Sequence, residues 1–132
     1  MQKLFTVDEA NATLPLVRRI VQDIVTQYAR WEDAAGALEL AGAAADASDP
    51  QRVVFLERTA LRLAAEVDAL RRELTELGIV LKDERIGLID FPAVMGGRLV
   101  WLCWHLGEPA VEFWHEMDTG FAGRRPLAPA PV

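Results

Sequence analysis

The chain has 132 residues, 52% hydrophobic and 26% charged, with a mean hydropathy of +0.12; this is one domain's worth of globular composition, too apolar for disorder and lacking the ~20-residue apolar run of a membrane span. Fourteen basic residues stand against twenty acidic ones, a net charge of −6, so there is no basic stripe for nucleic acid and no attraction to anionic lipid. The single cysteine, Cys103, excludes an internal disulfide, and with no charged-then-apolar leader at the N-terminus the chain reads as cytoplasmic.

Thr6-Val7-Asp8-Glu9 matches a capping box and predicts the start of a short helix. Pro15 fits the first turn of a second, longer helix, where its missing N–H costs nothing. From Leu14 an apolar stripe recurs at Val17, Val21, Ile24, Tyr28, Trp31, Ala35 and Leu38, a heptad-like seam on one helix face. The pattern decays between Gly42 and Pro50, where Ser48 or Asp49 can cap the next helix. A second stripe follows at Leu56, Ala60, Leu63, Val67, Leu70, Leu74 and Leu77, and Gly78 closes it. Two helices of ~27 residues, each ~40 Å long, make an antiparallel hairpin.

After Gly78 the rhythm changes. Residues 79–82, 87–91, 98–104 and 111–115 are short, β-branched and aromatic runs separated by turn signals, of which Gly96-Gly97 is the best. The expectation is an α+β fold: a long antiparallel helical hairpin (7–77) packed with a small four-strand antiparallel β-meander (78–118). Together they form a single domain over 1–127, with a Pro/Ala-rich tail, 125–132, that frays.

Ligand-type side chains crowd the C-terminal third among Trp101, Trp104 and Trp114, a composition that suits a small-ligand or metal pocket. Glu112-x-x-His115 resembles half of a di-iron motif, but it falls in a predicted strand, where an odd offset separates the two side chains, and it has no second copy. No His-Glu-x-x-His, CxxC pair, P-loop or Gly-x-Ser-x-Gly is present. A mononuclear zinc or iron site drawn from Cys103, Glu108, His115 and Asp118 is compatible with the donor types. Each of these residues also has a structural reading: Cys103 as a small buried hydrophobe, His115 bonded to a backbone carbonyl, Asp83 and Asp118 capping turns, Glu108 in a solvated loop. Asp90, inside an apolar strand, requires a partner, for which Arg98 and Arg124 are the candidates. Cys103 lies in surroundings too apolar for an activated thiolate.

Phe5-Thr6-x-x-Glu9-Ala10-Asn11-x-x-Leu14-Pro15 resembles the opening of a bacterial family known as domain of unknown function 2203. So do Gly78, Lys82-Asp83, Gly87-Leu88-x-Asp90-Phe91-Pro92-Ala93, Gly97, Leu102-Cys103-Trp104, Gly107-Glu108, Trp114-His115 and Gly120-Phe121-x-Gly123-Arg124. The resemblance spans roughly residues 4 to 127 and implies a small soluble bacterial protein without an established activity.

The reading of function that follows is a ligand- or metal-binding domain with a Trp-lined polar site in the meander. Asp83, Asp90, Trp104, Trp114 and Arg124 are its candidate ligand-binding residues, and Cys103, Glu108, His115 and Asp118 its candidate metal ligands for a single zinc or iron ion. The alternatives are a helical interaction module without cofactor and an enzyme pairing a carboxylate with His115. A homodimer through the hairpin is expected, because a ~40 Å helix can supply the ~800 Å² per partner of a standard interface.

Overall fold

The computed structural model describes residues 3–43 and 49–127. Its elements in chain order are α1 (Val7–Ala43), α2 (Pro50–Glu76), β1 (Val80–Asp83), β2 (Leu88–Met95), β3 (Arg98–His105), β4 (Phe113–Glu116), a 3-10 turn (Phe121–Gly123) and β5 (Arg125–Pro126). The two helices form the hairpin, and the strands form one antiparallel sheet in the order β1-β2-β3-β4-β5.

The capping box at Thr6 forms in both directions: Thr6 Oγ1 accepts from the Glu9 N–H at 3.0 Å, and Glu9 Oε1 accepts from the Thr6 N–H at 3.1 Å. The helix it starts is not short. α1 runs without interruption to Ala43 with Pro15 inside it, so the expected pair of helices is one. Pro15 removes only the bond that the Asn11 carbonyl would accept. Ala10, Leu14 and Val17, buried on one continuous face, hold the helix through that gap.

Asp49 rather than Ser48 caps α2, accepting from the Arg52 N–H at 3.1 Å, with Pro50 at the first helical position. The expected linker residues 44–48 lie outside the described residues. At the other end Gly78 takes φ +85. Its N–H donates to Thr75 O and the Ile79 N–H to Leu74 O, a Schellman closure whose flanking apolar contact is Leu74 with Ile79.

β2 and β3 are joined by the two-residue turn Gly96-Gly97, both at positive φ (59 and 78). Beyond the four expected strands there is a fifth. Arg125–Pro126 pairs with Phe113 and Trp114 of β4, and Leu127 donates to Glu112 O and packs on the core. The expected frayed tail therefore does not begin at 125; its remainder, 128–132, lies outside the described residues. Proline is tolerated in β5 because an edge strand leaves its missing donor unpaired anyway.

The core forms where Ile89, Phe91 and Ala93 of β2 and Val100, Leu102 and Trp104 of β3 meet Leu14, Val17, Val21 and Ile24 of α1 and Val67 and Leu74 of α2. The turn leading into β2 approaches α1 closely at Gly87. At φ +66, a Cβ there would lie 2.5 Å from Val21 Cγ1. Past Ile24 the stripe on α1 thins out: Tyr28 still packs against the core, but Tyr28, Trp31, Ala35 and Leu38 are only half-buried.

Candidate metal centre

Side chains alternate across a strand, so residues paired between strands share a face. The helix-facing side of the sheet holds the pairs Ile89–Trp104, Phe91–Leu102, Ala93–Val100 and Leu102–Trp114. The opposite face holds Asp90–Cys103, Pro92–Trp101, Cys103–Phe113 and Trp101–His115. Three of the expected site residues, Asp90, Cys103 and His115, come together there, away from the helices. One potential ligand atom from each lies within 4.8 Å of the other two. All three residues are buried: Asp90 1%, Cys103 0% and His115 3% exposed.

The hydrogen bonds of His115 fix its protonation pattern. Nδ1 lies 2.8 Å from the carbonyl oxygen of Glu116, an atom that only accepts, so Nδ1 carries a proton. Nε2 faces Asp90 Oδ2 at 3.0 Å, and that contact holds one shared proton. The partner of Asp90 is thus a histidine and not an arginine. Arg98 pairs with Glu116 at 2.6 Å and Arg124 with Glu108 at 2.8 Å. The second carboxylate oxygen, Asp90 Oδ1, is buried without a hydrogen-bond partner.

Burial drives the electrostatics. Desolvation pushes the Asp90 carboxyl above the ordinary carboxylate range, against the opposing charge and hydrogen bond of His115. The Cys103 thiol, a weak donor facing the same carboxylate, offsets part of this without closing a full hydrogen bond onto Oδ1. Desolvation and the neighbouring Asp90 charge push the thiol up to about 12, opposed by Arg124. Cys103 is therefore a protonated thiol at neutral pH and no free nucleophile.

A second polar assembly flanks the first. Glu108 Oε1 accepts from the His105 N–H at 2.9 Å and from Arg124 Nη2 at 2.8 Å. Arg124 Nη2 also reaches Cys103 O at 3.4 Å, and its guanidinium stacks 3.9 Å from the centroid of the Phe113 ring and 4.9 Å from that of Phe121. The 3-10 turn delivers Arg124 to this place, and a Cβ on Gly123 would lie 2.7 Å from Thr119 Cβ. Glu108 is 13% exposed in its side chain, not in a solvated loop, and its charge is already matched by Arg124.

The remaining expected residues are elsewhere. Asp83 Oδ1 closes the β1–β2 turn, accepting from the N–H groups of Arg85 (2.8 Å) and Ile86 (3.4 Å). Asp118 is exposed in the turn after β4. Trp104 is core on the helix side and donates through Nε1 to Glu108 O. Trp114 is half-buried on that same side, flanked by Arg98 and Arg125. The tryptophan lining expected around the polar groups thus reduces to Trp101, half-exposed opposite His115.

One residue outside the expected set organises the region. The Asn11 side chain meets both backbone groups of Val111: Oδ1 accepts from its N–H at 2.7 Å and Nδ2 donates to its carbonyl at 3.4 Å. This amide replaces a missing strand neighbour and anchors the seven-residue β3–β4 connection to α1. The only signal for it in the sequence is its place in the Phe5-to-Pro15 run.

No helix among the described residues is long and apolar enough to cross a membrane. No curated protein and no solved structure matches the chain. A family model described as an uncharacterized conserved protein, DUF2203, matches residues 3–127 and so takes in the whole polar face; the chain belongs to the DUF2203 family.

Proposed function

We propose that this protein is a binding domain for one divalent transition-metal ion, zinc or iron(II), held by Asp90, Cys103 and His115. The observation that carries the reading is Asp90 Oδ1, a buried carboxylate oxygen without a partner beside two other ligand-type groups. An unpaired buried acceptor costs about 1–3 kcal/mol, a cost that a cation removes. His115 is arranged as a ligand, because its Nδ1–H is tied to a carbonyl and Nε2 is the atom turned inward. The ion takes the place of the proton shared by Nε2 and Oδ2, and it displaces the thiol proton as well. A thiolate, an imidazole and a carboxylate form a borderline donor set suited to zinc or iron. Glu108 and Asp118 have no part in this reading, and a site that needs a reduced thiol fits a cytoplasmic setting.

Elemental analysis of untagged protein, followed by cobalt(II) reconstitution, tests it. The expected result is about one metal per chain after loading, with a thiolate-to-cobalt charge-transfer band that Cys103→Ser abolishes. A ligand at a hundredfold excess over its Kd stabilises by about 2.7 kcal/mol, which is visible as a rise in Tm. Protein that takes up no metal and shows no change in Tm with zinc, iron(II) or cobalt(II) overturns the proposal.

A second reading concerns the hairpin and coexists with the first. Between them α1 and α2 leave a groove of about 230 Å³ lined by Tyr28, Trp31, Ala64, Val67, Asp68 and Arg71. We take this as the surface through which two copies associate. Light scattering is expected to give a dimer mass that Trp31→Glu converts to a monomer, and a monomeric native protein rules the reading out.

A further inference from the structure

We infer that the open position of the Asp90–Cys103–His115 centre takes a small monoanion, with Lys82 as its charge partner. This rests on the metal reading above and adds the class of exogenous ligand. Three protein donors leave a tetrahedral ion one ligand short, the arrangement of sites that bind a further molecule. The charges near that position decide what it attracts. A divalent ion, a carboxylate, a thiolate and a neutral imidazole sum to zero, and Arg124 is matched by Glu108 at 2.8 Å. Lys82 is the charge left over. Among the described residues no carboxylate lies within ion-pair distance of it.

The backbone places Lys82 at the site. Val80 of β1 pairs with Asp90, and the register slips between Leu81 and Asp83, so Lys82 is the unpaired residue of a bulge on the edge strand. Val80 shares the face of Asp90, and the two-residue period of a strand puts Lys82, two positions on and ahead of the return to register at Asp83, on that same face. Lys82 is exposed, and its charge acts on the Asp90 carboxylate. The near-complete burial of Asp90, Cys103 and His115 sets the size limit: it excludes an extended substrate and restricts the position to a ligand of a few atoms.

Azide, a three-atom monoanion, is the probe. Cobalt(II)-loaded protein is titrated with it at fixed ionic strength and followed by the visible d–d bands. The expected result is a saturable one-to-one change, weakened about tenfold by Lys82→Gln and largely restored by Lys82→Arg. Because Lys82 is exposed, neither variant disturbs folding, and the thiolate-to-cobalt band reports metal loading separately in each. A loaded protein whose d–d bands ignore azide overturns the inference and leaves the metal reading standing. Azide binding equally tight in Lys82→Gln overturns the role of Lys82. A missing charge-transfer band in the native protein removes the metal reading and this inference together.

Discussion

Removing His115 isolates the carboxylate of Asp90, and the consequence can be worked out in advance. In His115→Gln, with chelator present to exclude metal, the buried Asp90 (1% exposed) loses the charge that opposes its desolvation, together with the hydrogen bond at 3.0 Å. A buried carboxylate without a charge partner takes up a proton. Its folded-state value, already raised, then moves further up, while in the unfolded chain it stays at about 3.9. Between those two values the folded state holds more protons than the unfolded one, so stability falls as pH rises, at about 1.36 kcal/mol per unit. Keeping Asp90 neutral therefore costs at most about 4 kcal/mol at pH 7 and about 1.5 kcal/mol at pH 5. Paired urea melts of native and variant protein at pH 5 and pH 7 read this directly. The destabilisation caused by His115→Gln is expected to shrink on acidification, by up to about 2–3 kcal/mol, and adding Asp90→Asn is expected to abolish that pH dependence. A loss of the same size at both pH values would mean that Asp90 is solvated or otherwise partnered, and the reasoning from burial would fail.

Three further outcomes follow from the same geometry. With its value pushed up from 9.0 to about 12, the Cys103 thiol at pH 8 is expected to react with an alkylating agent about a thousandfold more slowly than an ordinary thiol; a rate near that of a free thiol would contradict its burial. Gly87→Ala is expected to cost more than about 3 kcal/mol, because it adds a side chain at φ +66 and sets its Cβ 2.5 Å from Val21 Cγ1, and a calorimetric Tm close to that of the native protein would refute it. Arg124→Met leaves Glu108, 13% exposed, without its counter-charge and is expected to destabilise by about 3 kcal/mol in a denaturant melt; a loss below 1 kcal/mol would show Glu108 to be solvated.

Local rules account for most of the architecture. The Thr6–Glu9 box, the Asp49 cap and the Gly78 closure each rest on one or two residues whose chemistry admits few alternatives. Pro15 misled for a physical reason. A proline is a local cost of a few kcal/mol, and tertiary burial of the face carrying Ala10, Leu14 and Val17 outweighs it. Part of the site was equally local. With Gly96-Gly97 as a two-residue turn, Met95 opposes Arg98, and five residues outward on each strand Asp90 opposes Cys103. The period-2 rule applied to Cys103-Trp104 and to Trp114-His115 separates the tryptophans from the polar groups. The position of His115 was not legible in this way. The seven-residue connection between β3 and β4 has no turn signature that sets a register. It is held instead by Asn11 on a distant helix, by Arg18 donating to Pro109 O at 3.1 Å and by the Trp104 indole. Contacts a hundred residues apart in sequence leave no periodic trace.

The polar face is costly by the standards that govern the rest of the molecule. A sheet packed on one side by helices could fill three central positions of its other side with Val, Ile or Leu, and replacing buried ionic groups by packed apolar ones is commonly neutral or stabilising. Instead the chain places a carboxylate, a thiol and an imidazole at those positions and leaves one carboxylate oxygen unsatisfied. The flanking Arg124 is likewise incompletely satisfied, with its Nε buried and unpartnered beside the Phe113 and Phe121 rings. Two adjacent assemblies with incomplete hydrogen bonding share one face, and among the described residues no buried side-chain polar atom of the helix-packed face is left unpaired, a pattern that the metal proposal accounts for. The capped helices, the Gly87 contact and the Asn11 clamp supply the rigidity such a site needs. Substitutions at those positions should therefore lower metal affinity in proportion to the loss of folding stability, whereas Asp90→Asn, in chelator, should raise stability or leave it unchanged while abolishing binding. Chelator-phase melts compared with cobalt titrations of the same two classes of variant separate the cases. If Asp90→Asn destabilised the metal-free protein as much as Gly87→Ala, the carboxylate would be structural and the functional reading of this face would fall.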